Sequence, residues 1–401
     1  MNIASKIFRG DRVIWIVFFI LTLVSLIEVY SSIGLQAYSL VRPTSPTSLF
    51  LRHLLFVVVT YIAIILLSRL NYRVFSRFSL LAYWASLVLL LVMLVFRQRW
   101  LVLPGVGQFQ PSEVAKVVLI VFLARTMTLR KDQIGELATF LRLLLVVGAV
   151  AIMVFPTNFS TAALIMLVCM LMMLIGGVNR KYWWRLMIVG LVAVVAYLTI
   201  AYLRYEKSQM QPEVAVEQVI EREATWGHRV YSWINPDTSQ LTQENMARMA
   251  IARGGFFGKG VGNTVHARLM TQAHNDFIYA VIIEEMGSFV GILLLLLYSV
   301  FYFRCIRLAF RCRGRFGSLT VAGLGTAIYL QALLNMCVAV GVLPVTGQTL
   351  PFVSYGGTAY LFLGCGIGII QSIAAEVNSY EEEHRGAAVE NTDNVTEKEE
   401  L

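Results

Sequence analysis

Residues 13–33 read VIWIVFFILTLVSLIEVYSSI, a run long enough to cross the roughly 30 Å of hydrocarbon in a bilayer. Lys6, Arg9 and Arg12 stand just before it. The run is too long for the apolar core of a signal peptide, and no small-residue cleavage site follows it. It is therefore expected to be retained as a first span.

Working outward, such runs recur. Ten are counted, at 13–33, 49–68, 79–96, 111–128, 139–155, 161–178, 184–203, 277–303, 318–341 and 352–375. Composition agrees: 58% of the 401 residues are hydrophobic and 14% are charged, where an average soluble domain has about 25% charged. That excludes a soluble globular, disordered, collagenous or disulfide-stapled chain. The expected fold class is an all-α polytopic membrane protein of about ten transmembrane helices. One large extracytoplasmic loop, 204–275, lies between spans 7 and 8.

Charge sets the expected orientation. The formal net charge is +9, but residues 376–401 hold nine acids against two bases, leaving +16 on the rest. Basic clusters such as Arg69, Arg73 and Arg77, or Arg304, Arg307, Arg311, Arg313 and Arg315, fall in alternate connections, as cytoplasmic loops require. This places residues 1–12 and the acidic tail 376–401 in the cytoplasm, with the tail expected to be disordered. The same placement argues against nucleic acid as a partner. The five cysteines form no metal-binding or redox spacing.

Three constellations carry chemistry. Asp276 lies where the long loop enters the eighth span, in Asn275-Asp276-Phe277-Ile278, and reads either as a helix N-cap or as a catalytic carboxylate at the bilayer surface. Glu284 and Glu285, deeper in that span, point elsewhere by helical geometry and read as buried hydrogen-bonded anchors. At the start of the fourth span, Gln110-Pro111-Ser112-Glu113 leads to Lys116; Glu113 and Lys116 share a face, as a structural clip or as substrate contacts. The stretch Leu343–Gly357 has paired prolines and glycines that suit a shaped entry to the last span, where Ser354 could bind a polar ligand or satisfy freed backbone. The cluster Gly254-Gly255-Phe256-Phe257-Gly258-Lys259-Gly260 is no P-loop. Its glycines could admit a bulky anion, with Lys259 and Arg268 supplying charge and Arg99 facing the same region. Pro212–Ala224 suits a short amphipathic helix on the membrane face.

Taken together, Gln110-Pro111-Ser112-Glu113-x-x-Lys116, the glycine run, Asp276-Phe277-Ile278 followed by Glu284-Glu285-x-Gly287, and Leu350–Gly357 stand in a familiar order. Over about residues 10–375 the chain resembles the SEDS family (FtsW, RodA and SpoVE). The resemblance implies a peptidoglycan glycosyltransferase that polymerises lipid II into β-1,4 glycan strands beside a class B penicillin-binding protein. The family's essential aspartate corresponds to Asp276, its charged pair to Glu113 and Lys116, and its arginine before the fourth span to Arg99. Where the family has Pro-Asp-Leu-Gly-Thr-Ala, this chain has Pro156-Thr157-Asn158-Phe159-Ser160-Thr161-Ala162, without the acid; of the usual polar residues before the glycine pair it keeps Gln243. The compact length and acidic tail lean toward the septal, FtsW-like branch and other divisome membrane partners, with a RodA-like elongation enzyme as the alternative. A lipid II flippase and a non-catalytic divisome scaffold are the rivals from other classes. A divalent cation, magnesium or manganese, could assist, though no ligand cluster in the sequence demonstrates one.

Overall fold

The computed structural model describes residues 8–37, 46–96, 100–103, 107–179, most of 181–203, 229, 231–234, 242–266, 270 and 276–399. The elements are helices α1 (Arg12–Ala37), α2 (Pro46–Arg69) and α3 (Tyr72–Val95), strands β1 (Leu101–Leu103) and β2 (Gly107–Phe109), then α4 (Pro111–Leu129), α5 (Leu137–Val154) and α6 (Phe159–Ile175). After them come α7 (Gln243–Gly254), α8 (Ile278–Arg311), α9 (Arg315–Ala339) and α10 (Gly357–Glu399). The chain is a polytopic helical membrane protein. Among the described residues seven helices, α1–α3, α5 and α8–α10, are long and apolar enough to cross a membrane. The other expected spans fall on α4, which carries Glu113, Lys116 and Arg125, on the shorter α6, and on the partly described helical stretch 181–203.

Two features depart from the expected outline. An antiparallel ribbon, with Leu101 opposite Phe109, precedes α4 in an otherwise helical chain. The acidic segment expected to be disordered is instead helical, because α10 continues unbroken to Glu399. A helix already formed needs no new nucleus, and the alanines and glutamates there extend it readily. The amphipathic segment expected at 212–224 lies outside the described residues.

In a bilayer, lipid tails are as apolar as leucine, so close helix contact depends on small residues. Along α10, Gly364 and Gly368 meet α2: a Cβ on Gly364 would lie 2.2 Å from Thr60 Cγ2, and one on Gly368 2.8 Å from Leu67 Cβ. The outer helices turn Leu81, Trp84, Leu145 and Ile152 outward as a lipid-facing surface, while α9 and α10 are largely buried. At one end of the bundle the chain start is clipped in place. Asp11 Oδ1 accepts from the N–H groups of Val13 and Ile14, its own N–H donates to Gln371 Oε1 at 2.7 Å, and Arg304 Nε reaches its Oδ2 at 2.6 Å. The helices alternate in direction, so Asp276 and the start of α4 meet at the other end.

Candidate active site

The chain enters α4 through the ribbon and Gln110, and Pro111 takes the first turn, where its missing N–H is no loss. One turn further, Lys116 Nζ lies 2.8 Å from Glu113 Oε2 and 2.5 Å from Gln331 Oε1 of α9. Lys116 is only 1% exposed. A charge that deep is tolerated when paired and hydrogen-bonded, and here it is both. The pair thus acts as a clip between α4 and α9, and Gln331 Nε2 extends it by donating to Thr349 O at 3.1 Å.

One turn along α9, Asn335 fixes the junction that holds Asp276. Its Nδ2 donates to Asp276 O at 2.9 Å and to Gln348 O at 2.7 Å. Gln348 Nε2 donates in turn to Thr161 Oγ1 of α6 at 2.8 Å. Asp276 itself is half-buried, and the residue capping α8 is Phe277, so the aspartate stands one position outside the cap. Four buried polar atoms in this neighbourhood, Asn335 Oδ1, Asn158 Nδ2, Ser160 Oγ and Thr346 Oγ1, have no hydrogen-bond partner among the described residues. Buried polar groups are normally satisfied, so atoms of this kind suit a polar ligand's hydroxyl or amide groups.

The glycine run packs against a break in α8. Helix α8 breaks at Gly287, whose φ of 87° lies in the left-handed region. An unbroken helix would pair Ser288 and Phe289 N–H with Glu284 and Glu285 C=O. Instead those four groups bond the loop. Lys259 and Gly260 N–H donate to Glu284 and Glu285 O at 3.0 and 2.8 Å, and Ser288 and Phe289 N–H donate to Gly255 and Phe256 O at 2.9 and 3.2 Å. The approach is close enough to exclude a side chain at Gly258, whose Cβ would fall 2.2 Å from Glu285 O. Glu284 reinforces the same loop: its Oε1 accepts from Arg253 Nη1 at 2.9 Å and from the N–H groups of Val265 and His266 at 3.0 and 3.2 Å. It is the buried anchor expected of it. Glu285 is one as well, accepting from Ser31 Oγ of α1 at 2.5 Å.

The structure therefore brings Asp276, Glu113 and Lys116 together through Gln331 and Asn335. Lys259 lies exposed on the latched loop, and Arg99 and Arg268 lie outside the described residues. Ser354 is buried within the turn before α10, where its Oγ accepts from Leu350 N–H at 2.8 Å. That turn is held further by Ser25 Oγ, which donates to Val353 O at 3.0 Å, and by the Tyr298 hydroxyl on Pro351 O. Gln331, Asn335 and Gln348 escaped the sequence reading. The signal for two of them was present: polar amides four residues apart in an apolar span line up on one face. Glu28 of α1, a fully buried acid near Glu285, was likewise passed over. Among the described residues no group of three or more potential ligands is gathered that could hold a metal ion.

Comparison with known proteins agrees with this arrangement. The FtsW/RodA/SpoVE family, described as cell cycle protein, matches residues 11–379. The probable peptidoglycan glycosyltransferase FtsW of Enterococcus hirae is 29% identical over 385 residues, covering 92% of this chain and 93% of the relative. Among solved structures, the rod shape determining protein RodA of Thermus thermophilus superposes with a TM-score of 0.63 at 22% identity, covering 91% of this chain and 96% of that one. A chain from a peptidoglycan synthase complex, studied for its coordination of polymerization and crosslinking, gives 0.68 at 23% identity, covering 92% and 98%. At those identities the structural likeness concerns the fold. The family match runs from the clipped chain start to the last helix, across every element that positions Asp276, and so the chain belongs to the FtsW/RodA/SpoVE family.

Proposed function

We propose that this protein is an inverting peptidoglycan glycosyltransferase that polymerises lipid II into β-1,4 glycan strands, with Asp276 as its general base. The observation that carries the reading is the junction at Asp276. A half-buried carboxylate residue is fixed by Asn335 one helical turn from the buried Glu113–Lys116–Gln331 cluster, in a chain whose relatives are named for this activity. In the reaction the acceptor's 4-hydroxyl attacks the anomeric carbon of the growing strand. A new C–O bond forms as the bond to pyrophosphate breaks, so that the α-linked phosphate becomes a β-1,4 linkage. The bonding pair leaves with undecaprenyl pyrophosphate, and the hydroxyl proton passes to Asp276. A carboxylate is a weak base for an alcohol, so this transfer accompanies departure of the leaving group.

That departure needs positive charge. Lys116 reaches a pyrophosphate only when Gln331 releases it, so exposed Lys259 is, among the described residues, a cation free to meet it, and the resemblance adds Arg99 and the sequence Arg268 as further candidates. Any magnesium or manganese ion would enter with the pyrophosphate itself. On this reading Asp276 faces the outer side of the membrane, both chain ends are cytoplasmic, and a class B penicillin-binding protein cross-links the product at the septum alongside other divisome proteins. Purified protein with fluorescent lipid II and that partner tests it. Asp276→Asn should cut polymer formation by about 100-fold or more, as loss of a general base does, with its thermal melt unchanged. Undiminished polymer would end the assignment. Transbilayer movement of lipid II that survives the substitution, without polymer, would favour a flippase. Labelling of the sidewall instead of the septum in cells would favour a RodA-like role in elongation.

A further inference from the structure

At the end of the bundle away from Asp276, a cavity of about 360 Å³ opens where the turn between α8 and α9 meets α3 and α10. That is within the range of small-molecule sites, about 300–1,000 Å³. Arg73, Arg311 and Arg313 line it, against Glu376 and Glu381. Arg311 is already committed: it grips Glu381 with two bonds, at 2.9 and 2.5 Å, and reaches Asn378 Oδ1 at 3.2 Å. The other two arginines are not. Among the described ion pairs, none involves Arg73 or Arg313. Arg313 is held by a ring, its Cζ 3.5 Å from the Tyr380 centroid, a contact that uses none of its N–H donors.

Backbone adds to the positive field. Helices α3 and α9 both begin at this cavity; Asn71 Oδ1 caps α3 by accepting from Arg73 N–H at 2.9 Å, whereas Gly314, the residue capping α9, supplies no side-chain acceptor for the first-turn N–H groups. The floor is apolar, made by Gly317 and Ile373. The cavity and Asp276 lie at opposite ends of α8.

We propose that this cavity binds the phosphate-bearing head group of an anionic phospholipid drawn from the adjacent leaflet. Two guanidinium groups and the uncapped N-terminus of α9 match a phosphate diester, while the apolar floor at the membrane boundary favours a lipid over a soluble anion. Arginines between transmembrane helices on a basic membrane face are the setting in which such head groups are held.

The test is native mass spectrometry of the full chain in detergent, titrated with phosphatidylglycerol or with phosphatidylcholine, with inorganic phosphate as a third arm. Phosphatidylglycerol should be retained about tenfold over phosphatidylcholine, and Arg73→Gln/Arg313→Gln should abolish that preference. The Arg73→Lys/Arg313→Lys variant should keep part of it. Gly317→Leu leaves every charge in place but projects into the space beside Ile373, where even a Cβ would lie 3.3 Å from Ile373 Cγ2, and should also lower retention. Equal retention of the two lipids by the unmodified chain would overturn the proposal. So would retention unchanged in both the Gln and the Gly317→Leu variants, or displacement of phosphatidylglycerol by millimolar inorganic phosphate.

Discussion

Around Asp276 the helices are joined mainly through neutral amides, with Asn335, Gln348 and Thr161 linked in series, whereas at the opposite end Asp11, Arg304, Arg311 and Glu381 join them by charge. The same two helices, α8 and α9, contribute to both ends. Asn335 holds Asp276 by its main-chain carbonyl, with a neutral amide as the donor. At the other end the arginines of both ion pairs are about 30% exposed while Asp11 is buried, so water screens its pair from the arginine side only and the gain is modest.

Three substitutions would break or sharpen this contrast. The largest effect should come from Lys116→Met, which strands the Glu113 carboxylate in an apolar interior. A loss of about 3–5 kcal/mol is expected, read as a lowered unfolding midpoint in detergent. Glu113→Gln/Lys116→Met should recover most of that loss, and a double variant no more stable than the single one would show that the pair is not the clip described. Next, Glu284→Gln keeps the shape of the loop anchor and removes its charge. It should cost about 1–3 kcal/mol locally and speed tryptic cleavage after Lys259. A cleavage rate equal to that of the unmodified protein would mean the loop is held by its backbone bonds alone. Least affected should be Asp11→Asn, which retains the helix cap but loses the Arg304 pair. About 1 kcal/mol and unchanged glycan polymerisation are expected; a large drop in polymer would mean the two ends are energetically coupled.

Most of the fold was legible because a bilayer demands one simple thing of a span, some twenty apolar residues in a row. The helices at 12–37, 46–69 and 72–95 could be placed from that alone. Asp276 was legible too, as an acid at the mouth of a span. What escaped depended on partners that no local pattern names. The Glu113–Lys116 spacing announces a pair but not Gln331, which closes it from 215 positions away. The glycines at 254–260 suggest close approach without saying to what, and the answer is the broken ladder of α8. Helix α10 runs past its apolar part because an established helix extends at little cost, while composition alone suggested disorder there.

The bend at Gly287 has a consequence for engineering. Four peptide groups that a straight rod would have kept to itself are shared with residues 255–260, so that segment is part of the transmembrane ladder despite lying outside it in sequence. Excising it, or grafting another turn in its place, would cut hydrogen bonds inside a membrane-crossing element. Side chains at 257 and 261, which are exposed, can be exchanged for reporters without touching that shared scaffold.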